Sequence, residues 1–397
     1  FDFFQGIFCD FSMYFLKRFS LLALVMQVVL FSCQKVRTDD KPDDNPDPGH
    51  EEVDNATDLT SKSTYANCYM IKNAGDYKFA VKKVDGTDVE GISEADWIWS
   101  ESDEASKGLI DKVSYKNGYI YFSATKGRGN ALVAAFGQDG AVLWSWHIWL
   151  SDEVSQEKLD NGTIFMDRNL GAKSNRPEDV SATYGLKYQW GRKDPFYGGA
   201  KDERQDPAFS EAKGHTIFNP ERGFNWGVKE SNQNIGTVNY ATAHPTTFIY
   251  STVDDIKDWM WVKDSYLWET KNTETKTIYD PCPAGYQVPS DNAWKGVRFD
   301  NTYEQDGGKL HTEESGVQMW WPLCGTRWGD KDAGRLGYVY VKNEDYEGGQ
   351  GIYWKRTCYM TGTNAGCLYL LSGSYTDAGH GMYRAHGCAV RCEYIGK

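Results

Sequence analysis

Between residues 113 and 149 apolar and polar positions alternate, the period of two that marks extended chain. Residues 113–116 and 119–123 flank Asn117-Gly118, the dipeptide that a type I′ hairpin turn favours. A run at 131–136 follows, then a Gln138-Asp139-Gly140 turn and a run at 141–149. In the last run Val142, Trp144, Trp146 and Ile148 share one face while Ser145 and His147 point the other way, which predicts a strand with one buried side. Several such strands within residues 57–152 predict a small β-sandwich of immunoglobulin-like type. His147 reads as structural, and Cys68 as a buried free thiol, because unpaired cysteine packs as a small hydrophobe.

Composition extends this picture to the whole chain. With 40 glycines, 25 tyrosines, 18 phenylalanines and 15 tryptophans in 397 residues, and little sustained helical periodicity, the expectation is a β-rich protein of two domains. A net charge of −13 argues against nucleic acid or anionic lipid as the surface it meets, since both need clustered Lys and Arg. Neutral ligands such as glycans stay open.

Residues 1–32 read as upstream sequence plus a signal peptide, with Met13 as the start of the signal. Lys17 and Arg18 precede an apolar run at 21–31, which is too short for a spanning helix of about 20 residues. The run closes in Leu30-Phe31-Ser32-Cys33, which resembles the lipobox of bacterial lipoproteins and implies a lipidated Cys33 at the mature N-terminus. Residues 33–56 crowd Asp39, Asp40, Asp43, Asp44 and Asp47 among prolines and read as a disordered acidic linker. That linker resembles the surface-export signal of Bacteroidetes lipoproteins, which implies an outer-membrane, lipid-anchored and cell-surface location.

The region 153–397 carries four phrases in order: FMDRNLGA at 165–172, YGLKYQWGRKDPF at 184–196, DPCPAGYQVP at 280–289, and Val390-Arg391-Cys392. Together they resemble the Fibrobacter succinogenes major paralogous domain of Bacteroidetes surface lipoproteins. The strand-like LWSWHIW at 143–149 also looks like the lead into that domain. The resemblance implies a C-type-lectin-like fold, with short helices beside a twisted antiparallel sheet. The overall class is then β-rich α+β. Tyr184 with Tyr188, and Leu186 with Trp190, are spaced to stack along a helix ending at Gly191. Ser290 suits the N-cap of a second short helix that buries Trp294 and Val297. Runs at 337–341, 351–354, 367–371 and 387–392 read as core strands, and 196–279 is long enough to form its own inserted lobe.

Six cysteines in this half (Cys282, Cys324, Cys358, Cys367, Cys388 and Cys392) allow 15 pairings, and spacing does not choose among them. The resemblance favours Cys282 with Cys392. Cys388 and Cys392 are too far apart along an extended strand to bond easily, and the partners of Cys324, Cys358, Cys367 and Cys388 stay open. No C-x-x-C pair suggests zinc, and His380 with His386 is a weak metal pair, so no metal or cofactor is implied. There is no G-x-S-x-G, H-E-x-x-H or P-loop, and no catalytic residue is assigned. Sulfatase-modifying oxidases share the lectin-like fold, but their reactive cysteine arrangement has no match at Cys358 or Cys367. What remains is aromatic surface, because sugar rings stack on exposed Trp and Tyr. Trp226, Trp259, Trp261, Trp268 and Trp328 are the candidate ligand-binding residues. The expected role is adhesion or glycan binding, with a glycan or surface protein as partner. The alternatives are a structural envelope or pilus subunit that binds other subunits, and an enzyme acting on polysaccharide.

Overall fold

The computed structural model describes residues 54–102, 107–199, 204–253, 257–297, 303–305, 307–340, 349–358, 363–373 and 375–396. Cys33, the leader and the acidic stretch as far as residue 53 lie outside them. Where alternation is clean, chain and prediction agree. The strands Ile110–Lys116 and Tyr119–Ala124 form a hairpin around Asn117 (φ 52°) and Gly118 (φ 79°), the left-handed pair that a type I′ turn requires. Gly75–Ala80 and Thr57–Asp58 complete this sheet on the other side of Tyr119–Ala124. A second sheet runs in the order Thr216–Phe218, Glu94–Glu101, Gly129–Phe136, Val142–Leu150, Cys68–Ile71. Phe79, Ile120 and Phe122 of the first sheet pack on Val133, Trp146 and Ile148 of the second, so the two make a sandwich.

The second sheet is buried on both faces, not one. Trp144, Trp146 and Ile148 fill the sandwich core, while Trp149, with Trp99 and Leu132, packs against Met166, Leu170, Leu186 and Trp190. The polar residues of the far face are enclosed and paired there. Ser145 Oγ donates to Asp194 Oδ1 at 2.6 Å, and His147 Nε2 lies 2.8 Å from Asn130 Oδ1. Alternation separates apolar from polar positions, and here the polar ones meet protein where water was expected.

The helix expected at 184–190 is absent. Tyr188–Gln189 is a strand antiparallel to Gly387–Cys388, and Gly185 sits at φ 66°, which no right-handed helix accepts. Tyr184, Leu186, Tyr188 and Trp190 are all fully buried along this nearly extended stretch. The second expected helix is a chain of tight turns, with Ala293 N–H donating to Ser290 O and Val297 N–H to Trp294 O. Ser290 turns its side chain elsewhere: its Oγ donates to Glu393 Oε1 at 3.5 Å and its N–H to Oε2 of the same carboxylate at 2.7 Å. Trp294 is nonetheless buried, 5.2 Å from the Phe165 ring. Among the described residues helical structure is confined to the 3-10 turns Pro177–Thr183 and Ser210–Ala212 and the α-helix Val238–Ala243, which Thr237 caps by accepting from Tyr240 N–H.

A third sheet of seven strands runs Tyr188–Gln189, Gly387–Cys388, Cys324–Arg327, Gln350–Cys358, Asn364–Leu371, Thr376–Tyr383, with Leu336–Val339 paired to Cys324–Arg327. A smaller sheet orders Tyr286–Gln287, Glu393–Tyr394, Ile164–Met166 and Gln156–Lys158. A disulfide joins Cys282 to Cys392, 110 residues apart, and so fastens the segment before Tyr286–Gln287 to the one that leads into the last strand, Glu393–Tyr394. Within 196–279, Thr216–Phe218 pairs with Glu94–Glu101 and lends the sandwich an edge strand. The residues from Asp54 onward form one compact unit.

Candidate functional site

The tryptophans singled out from sequence separate by burial. Trp259 and Trp268 are wholly enclosed and spend their indole N–H groups on Trp190 O (2.7 Å) and Arg192 O (3.3 Å), which leaves neither ring face to a ligand. Trp226 is half-buried in a stack with Trp99 (5.2 Å), Phe209 (5.2 Å) and Phe218 (5.4 Å), and its Nε1 donates to Thr216 Oγ1. It is the peg that holds the 196–279 segment to the sandwich. Trp261 is half-buried at the turn where its N–H meets Gly236 O. Trp328, by contrast, lines a substantial cleft.

The segments 165–172, 184–196, 280–289 and 390–392 build the frame. Arg168 forks onto its neighbour Asp167 through Nε (2.8 Å) and Nη2 (3.0 Å), and Asp167 also accepts from Ser155 Oγ and Asn175 Nδ2. Asn169 ties Tyr184 O to Arg391 Nε. Arg192 reaches Thr247 O and Gln189 Oε1, and Asp280 accepts from the N–H groups of Cys282 and Val288. Each of these charges is buried and answered by protein, as an enclosed ion must be. They fix the chain's path.

The cleft lies on one face of the seven-stranded sheet and encloses about 400 Å³. Tyr369 and Leu371 of one strand, and His380 and Met382 of the next, share that face by the period of two. Tyr369 stacks on His380 at 4.6 Å and meets Tyr375 edge-on at 5.8 Å. Trp328 stands 5.3 Å from Tyr338 on the opposite side, with Thr326 and Gln350 between the aromatic groups. Tyr338 has φ 59°, a left-handed conformation that is rare for a bulky residue and costs of order 1–3 kcal/mol. Such strain persists where the surroundings over-determine it, and its result here is a tyrosine ring brought beside Trp328. Unlike the enclosed Trp259 and Trp268, Trp328, Tyr338 and Tyr369 are half-buried, and Tyr375 is 48% exposed.

His386 closes the cleft's inner end. Its ring meets Trp328 edge-on at 5.5 Å on one side and Tyr383 at 5.5 Å on the other. Burial pushes the imidazole down to about 4, with Asp330 pulling weakly the other way, so the ring is neutral near pH 7. Beyond Tyr383 a smaller polar hollow of about 230 Å³ is lined by Ser251, Lys257 and Asp330. A third groove, between the strands Glu94–Glu101 and Ile110–Lys116, holds Arg222, which is bound to Glu94 and Asp96.

Cys68, Cys324, Cys367 and Cys388 are free and buried, and burial pushes the Cys388 thiol up to about 12. Cys358 is half-buried, beside Ser265 O and Arg384. The cleft brings His380 and His386 together, but among the described residues no group of three or more His, Cys, Asp or Glu is placed to hold a metal. Sequence reasoning missed Tyr338, Tyr369 and Tyr375. The available signal was the same-face spacing of Tyr369 with Leu371 and of His380 with Met382. Compared with known proteins, the chain matches no family model, no curated protein and no solved structure.

Proposed function

We propose that this chain is an exported lipoprotein, anchored through Cys33 at the outer membrane and facing outward, whose aromatic cleft binds a glycan. The observation that carries the reading is the set of four partly exposed rings, Trp328, Tyr338, Tyr369 and Tyr375, around a cleft of about 400 Å³. Sugar C–H faces stack on such rings, and hydroxyl, amide and imidazole groups between them orient the sugar's own hydroxyls. The C-terminal half is read as a Fibrobacter succinogenes major paralogous domain of C-type-lectin-like type, and the sandwich as an immunoglobulin-like module. Because the two halves share a core, the sandwich serves as a rigid support for the cleft. The test is a glycan-array screen of the detergent-solubilised full chain beside its Tyr375→Ala variant. The reading expects a retained glycan class that the variant retains poorly and that is released unaltered. Retention of nothing, or retention indifferent to Tyr375, contradicts it, and release of a cleaved product points to an enzyme.

A further inference from the structure

Resting on the cleft as the glycan site, we propose that it selects an uncharged saccharide, with His386 as the residue that orients the sugar through a fixed Nε2–H donor. The first support is what lines the space. Of the described residues that line it none is Asp, Glu, Lys or Arg; the polar ones are Thr326, Gln350, His380, His386 and tyrosine hydroxyls, and the carboxylate of Asp377 sits behind Tyr375 and His380, 3.4 Å from the one's hydroxyl and 3.3 Å from the other's Nδ1. A uronate or sulfate placed among these groups gives up its hydration with no Lys or Arg among the described lining residues to replace it, which is costly. An uncharged ring gives up little. Arg204 stacks its guanidinium on Tyr338 at 4.5 Å and stays out of the lining.

The second support is the tautomer of His386. Gly329 N–H donates to Nδ1 at 2.7 Å, and a backbone N–H has no other role open to it. Nδ1 is therefore the unprotonated acceptor, and the neutral ring carries its hydrogen on Nε2. The contact is rigid, because a Cβ on Gly329 would sit 2.2 Å from Ala385 C and 2.6 Å from His386 N. With Nδ1 tied to the backbone, Nε2–H is the ring donor that remains, on a residue that lines the cleft. A donor held this way prefers an acceptor such as a ring oxygen or hydroxyl oxygen, and discriminates most strongly when the oxygen is removed, since a buried donor is then left unpaired.

The experiment titrates neutral oligosaccharides, their uronate- or sulfate-bearing counterparts and a series of single-deoxy analogues onto the detergent-solubilised full chain. The proposal expects the neutral sugars to bind and the charged counterparts to bind about 10-fold more weakly or worse. One deoxy position should weaken wild-type binding about 10- to 100-fold and have no added effect in His386→Phe. The wild-type comparison of neutral and charged sugars stands even if that variant does not fold. Charged counterparts that bind as well or better overturn the uncharged-ligand inference and leave the glycan reading intact. A deoxy effect that persists in full in His386→Phe overturns the role of His386. Absence of any saccharide binding defeats the glycan reading, and this inference with it.

Discussion

Ser145 Oγ donates a 2.6 Å hydrogen bond to Asp194 Oδ1, joining a strand of the sandwich to the chain that threads the C-terminal half. Lys193 Nζ binds the same carboxylate at 2.6 Å and also reaches Ser145 O, and all three residues are buried. Removing the carboxylate strands a buried ammonium. Asp194→Ala is expected to destabilise the protein by about 3–5 kcal/mol. The wild type should unfold in a single denaturant transition reported alike by Trp fluorescence and far-UV circular dichroism, because the halves share a core. Two separated transitions, with Asp194→Ala shifting neither, would contradict the shared core.

Cys282 and Cys392 close a loop of 110 residues. In the chain-entropy model a loop of that length contributes roughly 4–5 kcal/mol by restricting the unfolded chain. Cys282→Ser with Cys392→Ser, compared with wild type by urea denaturation, should lose a stability of that order, and wild type under reducing conditions should approach the variant. A loss under about 1 kcal/mol would mean that the unfolded chain is restricted by other means.

Acid should weaken the fold partly through buried histidine. Burial lowers His147 to about 3 and His386 to about 4, against an unfolded value near 6.5. As pH falls through 6.5 the unfolded chain takes these protons and the folded chain does not, so stability drops with falling pH until the folded values are reached. Asp258 acts oppositely: burial raises it to about 6, so its stabilising share is present at low pH and lost as pH rises through that value. His147→Gln removes one histidine proton from the balance. Its urea stability should fall less steeply than wild type between pH 6 and 4, by about 1.4 kcal/mol per pH unit. Parallel pH profiles for the two proteins would show that His147 is charged in the fold.

Legibility followed periodicity. The hairpin at Asn117-Gly118 and the strands Gly129–Phe136 and Val142–Leu150 were readable because a period of two over several residues has one meaning. The far face of Val142–Leu150 was not, since Ser145 and His147 look like solvent-facing residues until their partners Asp194 and Asn130 are brought up from elsewhere in the chain. At 184–190 the four-residue spacing of Tyr184 with Tyr188, and of Leu186 with Trp190, suits a helix face and an extended strand alike, and the strand pairing with Gly387–Cys388 decided it. In the irregular stretch around Trp259 and Trp268 no period tells inside from outside. The cleft draws Trp328, Tyr338, Tyr369 and Tyr375 from separate strands and their flanking turns, so no local pattern announces it.

Saturation-transfer NMR tests the glycan-binding cleft most directly. A neutral glycan retained by the full chain is irradiated through the protein's aromatic resonances, once with wild type and once with Trp328→Ala. Stacking predicts strong transfer to the C–H protons on one face of a sugar ring, and its collapse in the variant. Transfer spread evenly over the sugar, or unchanged without the Trp328 indole, would place the ligand elsewhere and contradict the account.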